Sequence, residues 1–383
     1  MECIIYLADG CNLECTYCYE GDSKNTRIMN KETLVKALKF IANNRKTEDE
    51  IVYLLFLGGE PLLNKKILYE AINIINTKYK EISKYFKFSI TTNATLLDQN
   101  TIEFLIKNKF NISISVDGDE ETQNINRKSK NGKNLYPIVY KNLLDLIDLK
   151  TDFNVRMTIT ANNVCYFFKN IMFFSEMGVN RIYAGFDSFA DWTDKTLNKF
   201  DDELGMIDKY YLTEIEPDNS KILNLYDFKL STFIAKRNPQ YCSAGARQHF
   251  TITSSGEVFP CGYVANVEQN KWLLGNVTEG VDFSKFIPLV KDNLHKLSKC
   301  KDCSIQFACK GAKCGFQNYI ETGYLNKPSN AVCRLERILF KHQLYVFNEM
   351  FKKSSDRIMK NISLAVENDI ELSDIMKNLL KMR

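Results

Sequence analysis

The stretch Ile4–Cys18, "IIYLADGCNLECTYC", runs from a short apolar segment into a loop that carries three cysteines and a tyrosine within eight residues, Cys11 to Cys18. The segment "IIYLA" has the length and composition of one buried strand. Three thiolates on a short loop can hold three irons of a cubane 4Fe–4S cluster and leave the fourth iron without a protein ligand, as a catalytic metal requires. A three-cysteine zinc site, or three unrelated buried cysteines, would fit the same spacing.

Outward from this loop, strand-like and helix-like segments alternate. "CIIYLA" precedes "NKETLVKALKFIANN", where Leu34, Leu38 and Ile41 follow helical spacing behind Asn30 as a cap. Further pairs are "IVYLLFL" with a helix from about Asn64, "FKFSITT" with one from about Asp98, and "NISISVD" with one from about Leu135. "FNVRMTIT" and "RIYAGF" then lead into helices near 164–177 and 201–215. Six such units with apolar strands indicate a parallel sheet with right-handed crossovers, hence an α/β fold with an open or partial barrel. The alternation stops near residue 216, and from Cys242 the text is loop-rich and cysteine-dense, with one hairpin, "FTITSSGEVFPC", turning at Ser254–Gly256. After Cys333 helical periodicity returns in "RILFKHQLYVFNEMF" and near "ELSDIMKNLLKMR".

Composition narrows the function classes. The chain has 383 residues, 45% hydrophobic and 26% charged, which suits a large domain plus a smaller one. The formal charge is +4 with Lys and Arg spread among Asp and Glu, so neither nucleic acid nor an anionic membrane is indicated as a partner. The N-terminus has no basic segment followed by a long apolar run, and no stretch of about 18 uncharged apolar residues follows, so the expected location is cytoplasmic. Twelve cysteines in such a chain favour metal binding over disulfides.

In parallel sheets the site lies at the C-terminal ends of the strands. The unusual residues fall there: Cys11 to Cys18 after the first strand, Gly58-Gly59-Glu60-Pro61 after the second, Thr91-Thr92-Asn93 after the third, and Ser115-Val116-Asp117-Gly118 after the fourth. Two glycines let a main chain come close to a ligand, and Glu60 offers an acceptor for an ammonium, although such a segment also serves as a plain turn. Strand-end Ser and Asn residues are also common backbone caps.

The loop sequence C-x3-C-x-aromatic-C, with Tyr17 in the aromatic place, closely resembles the signature of the radical S-adenosylmethionine (SAM) superfamily. The resemblance implies that Cys11, Cys15 and Cys18 ligate a 4Fe–4S cluster whose fourth iron is completed by the amino and carboxylate groups of SAM. It further implies that the Gly58-Gly59-Glu60 backbone meets the methionine amino group, that Asn93, Ser115 and Arg127 contact ribose and carboxylate, and that Tyr17 lies near the adenine.

A second set comprises Cys242, Cys261, Cys300, Cys303, Cys309, Cys314 and Cys333. Cys300, Cys303, Cys309 and Cys314 alone would make a four-cysteine zinc ribbon, which leaves three cysteines unexplained. The whole run resembles the SPASM extension of radical SAM enzymes. Gly256 stands four residues before Cys261 as in that pattern, while four residues instead of three separate Cys309 from Cys314. The resemblance implies two auxiliary 4Fe–4S clusters, the outer one on Cys300, Cys303, Cys309 and Cys333 and the inner one on Cys242, Cys261 and Cys314, with an open iron. Three clusters and SAM are the implied cofactors.

The expected architecture is therefore α/β: a partial (β/α)6 TIM-type barrel over 1–215, a bridging region over 216–241, a loop-rich iron–sulfur SPASM domain over 242–337, and a C-terminal helical extension over 338–383. The implied activity is reductive cleavage of SAM to a 5′-deoxyadenosyl radical that abstracts hydrogen from a ribosomally made, Cys-containing peptide or protein and installs a thioether or other crosslink. A reductant such as ferredoxin or flavodoxin is the other implied partner. The alternative is an anaerobic sulfatase-maturing enzyme, which "GEVFPCGYVANVEQNKWLLGNV" resembles, except that the Asp expected after the cysteine, where it serves as catalytic base, is Gly262 here. A non-catalytic iron–sulfur or zinc scaffold is the alternative of another class. The chain starts directly at its first strand, so leader-peptide binding is expected from another protein or from the helices after Arg334, if it is needed. No catalytic base is assigned; Tyr263, Asp187 and Glu257 are candidates. Cys3 and Cys165 read as core residues, and His249, His295 and His342 have no ligand-like spacing.

Overall fold

A computed structural model describes residues 1–20, 26–236, 242, 244, 249–265, 271–284 and 299–381. His295 and part of the segment following Cys261 lie outside these residues. The chain divides into two compact units, one formed by 1–116, 123–153 and 243–292, the other by 117–122, 154–242 and 293–383.

The first unit is built on parallel strands β1 (Glu2–Ala8), β3 (Val52–Gly58), β4 (Phe86–Thr92) and β5 (Asn111–Ser115). Strand β1 is central, and Ile5, Tyr6, Leu7 and Ala8 are all fully buried, which is why it reads as an unbroken apolar run. The helices between the strands begin at the caps that the sequence offers. Asn30 Oδ1 accepts the Thr33 N–H at 2.8 Å to open α1 (Lys31–Asn43), and Asp98 Oδ1 accepts the Thr101 N–H at 2.8 Å to open α3 (Gln99–Lys107). Helices α2 (Lys65–Lys78) and α5 (Tyr136–Asp148) start within a residue of their expected positions.

The hairpin after Cys242 is part of this sheet. Strand β10 (His249–Ile252) pairs parallel with β1, Glu2 opposite His249, and turns at Gly256, whose φ of +84° suits glycine, into antiparallel β11 (Glu257–Phe259). His249 Nδ1 lies 2.9 Å from Glu2 Oε2 across that register, a structural role for a histidine that had none in the sequence.

The second unit carries parallel β7 (Phe153–Ile159), β8 (Arg181–Phe186) and the short β9 (Ile222–Leu223). Helix α6 (Phe167–Met177) follows β7 as expected, but α7 (Asp194–Tyr210) begins seven residues before the expected 201. Thr193 caps it, and Leu197, Phe200, Leu204 and Ile207 form its buried face. The 23-residue helix Asn330–Lys352 starts at the Ser329 cap, so Cys333 lies in its first turn. Cys3 is buried as expected, whereas Cys165 is exposed: the turn Val164–Tyr166 directs Val164 inward and Cys165 outward.

Candidate functional site

The loop after β1 is fixed by pairing that the sequence did not announce. Its residues Leu13–Cys15 form β2, antiparallel to β6 (Arg127–Ser129), with Cys15 opposite Arg127. The Arg127 guanidinium stands 5.3 Å from the centre of the Tyr17 ring, so these two expected contacts meet each other first. The Thr16 N–H donates to Asn126 O at 3.0 Å and its hydroxyl to Asn126 Oδ1 at 2.8 Å, while the Cys18 N–H closes a turn onto Cys15 O at 3.0 Å.

Cys11 is the best defined of the three thiols. Its Sγ accepts the Leu13 N–H at 3.4 Å and the Asn93 amide at 3.6 Å. Burial pushes this thiol up to about 11 against the Leu13 N–H, and the charges of Glu60 and Cys18 add to the rise. A positive centre bound to the loop would reverse that balance and ionise it.

Asn93, expected to contact a ligand, is already a hub. Its Nδ2 also donates to Asn12 Oδ1 at 2.9 Å, and its Oδ1 accepts from the Thr95 N–H and hydroxyl at 3.0 and 2.6 Å. Glu60 is fully enclosed in the same way. Oε1 accepts the Thr92 hydroxyl at 2.7 Å and the Leu62 N–H at 3.0 Å, and Oε2 accepts the Asn93 N–H at 2.8 Å. Burial raises its carboxyl even against these three bonds. Its side chain therefore braces the ends of β3 and β4.

The glycines before it are required by the protein's own backbone. A Cβ on Gly59 would lie 2.1 Å from Gly10 O, and Gly58, at φ +116°, would put one 2.2 Å from Ala8 O. The Gly59 and Glu60 N–H groups donate to Ala8 O and Gly10 O at 3.0 and 2.9 Å, so this turn and the start of the cysteine loop are one hydrogen-bonded object. Ser115 ends β5 at the same C-terminal edge of the sheet.

The candidate bases are mostly committed elsewhere. Asp187 Oδ1 accepts the Phe189 N–H at 3.0 Å and Glu257 Oε2 the Ser255 hydroxyl at 2.9 Å, both local turn bonds. Burial raises the Asp187 carboxyl. The Tyr263 ring packs on Tyr19 with centroids 4.9 Å apart. Beside it, Gly262 has no room for a side chain, because its Cβ would stand 2.6 Å from the Tyr6 hydroxyl. That hydroxyl donates to Glu20 Oε1 at 2.7 Å in a buried pair that sequence spacing gave no means of finding.

In the second unit Cys300, Cys303, Cys309 and Cys333 line one cavity of about 440 Å³. These four are the set expected to act together, and Cys314 is not among the described residues of the lining. Burial raises Cys300, with Cys333 and Cys303 adding to it, and burial pushes Cys309 up to about 12. Cys314 is raised by burial, with Cys242 also contributing. Cys261 belongs to the first unit, just past β11. Among the described residues no three His, Cys, Asp or Glu side chains form a group that could hold a metal ion. A cubane places each thiolate on a different iron and does not need convergence on one centre.

Among the described residues no helix is long and apolar enough to cross a membrane. The profile of the radical SAM superfamily matches residues 5–160. A cysteine-type anaerobic sulfatase-maturating enzyme of Clostridium perfringens (strain 13 / Type A) is 27% identical over 328 residues, covering 79% of this chain and 86% of that protein. The fold matches that of hexahistidine-tagged anSMEcpe with bound AdoMet at a TM-score of 0.74, 23% identity, covering 94% and 98% of the two chains. It also matches Streptococcus suis SuiB bound to precursor peptide SuiA at 0.60, 19% identity, covering 87% and 75%. The cysteine loop and the strand-end residues that hold it all lie within residues 5–160, the part of the chain that matches the radical SAM superfamily.

Proposed function

We propose that this enzyme modifies a Cys-containing, ribosomally made peptide or protein segment and forms a thioether or other crosslink in it. The observation that carries the choice is Gly262. In the sulfatase-maturing group that this segment resembles, an Asp follows the cysteine, whereas here the Tyr6 hydroxyl takes the space a side chain would need.

The donor set suits the implied cofactors. Cys11, Cys15 and Cys18 would hold the SAM-binding 4Fe–4S cluster, and the N–H groups aimed at Cys11 Sγ favour a thiolate there. The four cysteines around the 440 Å³ cavity would hold one auxiliary cluster. The cluster and SAM held by these residues would supply the hydrogen-abstracting radical chemistry. The protein's part is positioning and exclusion of water. Asn93 and Glu60 hold the loop that presents the thiolates, Arg127 and Tyr17 form one wall beside Cys15, and the main chain of Gly58–Glu60 lies against Ala8–Gly10. The electron comes from a reductant such as ferredoxin or flavodoxin.

A second reading, oxidation of Cys or Ser in a client protein to formylglycine, is favoured by the sulfatase-maturating relative that aligns over most of the chain. The two differ in where sulfur goes. Anaerobic incubation of the reconstituted enzyme with SAM, dithionite and a Cys-containing peptide, followed by mass spectrometry, separates them. Loss of two hydrogens with sulfur retained supports the crosslink; release of sulfide with an aldehyde left in the peptide supports formylglycine and rejects the crosslink.

A further inference from the structure

Three cations, Lys299, Arg334 and Arg337, line the four-cysteine cavity of the second unit, and among the described residues no carboxylate lines it. Two of the three are engaged with oxygen atoms of the protein. Lys299 Nζ donates to Asn330 Oδ1 at 2.9 Å and to Pro328 O at 3.3 Å, and the Arg334 guanidinium pairs with Asp194. Arg337 is aimed at a cysteine. Its Nη2 donates to Cys303 Sγ at 3.8 Å, and it makes no ion pair among the described residues.

The helix explains this contact. Arg337 follows Cys333 by four residues on the helix Asn330–Lys352, so the two lie one turn apart on the face that borders the cavity. Three residues further on, Phe340 packs against the buried group Cys300, Ile305, Cys309 and Ala312, as Cys303 does. Cys303 itself belongs to a turn that its N–H closes onto Cys300 O at 3.1 Å. The turn of helix that carries Arg337 is therefore seated on both sides of it, and the guanidinium joins the helix bearing one cysteine to the turn bearing two others.

An arginine keeps its charge throughout the accessible pH range and only donates. Hydrogen bonds to the sulfurs and local charge set the potential of an iron–sulfur centre. A cation bonded to a ligand sulfur favours the state with more negative charge, which is the reduced one. Glu336, the preceding residue, works the other way: it accepts the Lys310 N–H at 2.8 Å, and its charge raises the Cys309 thiol.

We propose that Arg337, acting through Cys303, raises the reduction potential of the centre held by Cys300, Cys303, Cys309 and Cys333. The inference rests on the reading of these four cysteines as ligands of an auxiliary cluster. It assigns the residue that poises this centre to take up an electron, which cysteine spacing alone does not reveal. Arg337 touches a ligand of the centre and not the substrate, so it is a positioning residue.

The test is a redox titration of the reconstituted full-length holoenzyme, with dithionite as reductant, followed by electron paramagnetic resonance beside metal content. The component that belongs to this centre is the one missing from Cys300→Ala. In Arg337→Gln that component alone should move to lower potential, its ratio of reduced to oxidised form at a fixed solution potential falling about fivefold, as expected for one partly exposed charge. Arg337→Lys keeps the charge without the planar fork and should shift it less, in the same direction. Arg334→Gln, whose partner is Asp194, should leave it in place, and Glu336→Gln should shift it upward. A component that stays put in Arg337→Gln, or in Arg337→Lys where the glutamine variant fails to hold iron, would overturn the proposal and leave the cluster reading intact, as would an equal shift in Arg334→Gln. Zinc in place of iron at these cysteines in the wild type would reject the cluster reading and the proposal with it.

Discussion

The two cysteine regions are held in opposite ways. The loop Cys11–Cys18 is fastened by protein alone: β2 pairs with β6, Asn93 reaches Cys11 and Asn12, and the Gly59–Glu60 turn is bonded to Ala8 and Gly10. The cavity lined by Cys300, Cys303, Cys309 and Cys333 is framed by turns and one helix end. A site with a rigid frame can lose or exchange what it binds, as a centre with an open position must. A site made of turns depends for its shape on the group it encloses.

The largest expected effect tests that contrast. Stripping iron with a chelator under anaerobic conditions should open residues 299–333 to hydrogen exchange while amides of β1 and β3 stay protected. Equal loss of protection in both regions would erase the distinction. Next is Gly59→Ala, whose Cβ would collide with Gly10 O at 2.1 Å. Neither backbone can give way without breaking the sheet edge, so a loss of about 3 kcal/mol in denaturant unfolding is expected. Gly185→Ala, with only an ordinary contact, should change stability little. A neutral Gly59→Ala would show that the turn and the cysteine loop are not one rigid object.

Glu60→Gln sharpens the same point with a smaller effect. One amide end would face the Asn93 N–H or the Leu62 N–H and Thr92 hydroxyl, donor against donor, for a loss of about 2 kcal/mol. A variant as stable as the wild type that no longer binds SAM would make Glu60 a ligand contact instead of a brace.

The sequence showed the strands well because one face of each is apolar and buried, Val52, Leu54 and Phe56 in β3 and Val155, Met157 and Ile159 in β7, so that "IVYLLFL" and "FNVRMTIT" locate them to within a residue or two. It showed the site residues by type but not by task. Gly58, Gly59 and Glu60 stand at the strand end as expected, yet their strict requirement comes from Ala8 and Gly10, about fifty positions away in the chain. Long-range pairing of this kind leaves no local mark. The same holds for β2 with β6, for β10 beside β1, and for the Tyr6–Glu20 pair that fills the space at Gly262. Helix α7 starts ahead of the expected 201 because its buried face begins with Leu197 behind the Thr193 cap.

The smallest effect concerns His342, which the sequence left without a role. In the helix Asn330–Lys352 its Nδ1 lies 2.6 Å from Asp208 Oδ2 and its Nε2 2.8 Å from Asp201 Oδ1, both on α7. Burial opposes its charge, but the hydrogen bonds and charges of Asp208 and Asp201 outweigh that and raise it above the usual histidine value. A raised folded value means that the stabilisation is fully present below the unfolded value of about 6.5 and declines as pH rises through the folded one. The melting-temperature gap between wild type and His342→Gln should therefore narrow from about pH 6 to pH 9. A gap that widens with pH would mean that the imidazole is held neutral.

The central claim is that the framed loop carries radical chemistry. The most direct measurement is anaerobic reconstitution of the enzyme with iron and sulfide, addition of dithionite and SAM, and quantification of 5′-deoxyadenosine beside a Cys15→Ala variant. The account predicts abundant bound iron and deoxyadenosine that disappears in the variant. Bound zinc with no deoxyadenosine, or equal deoxyadenosine from the variant, would contradict it.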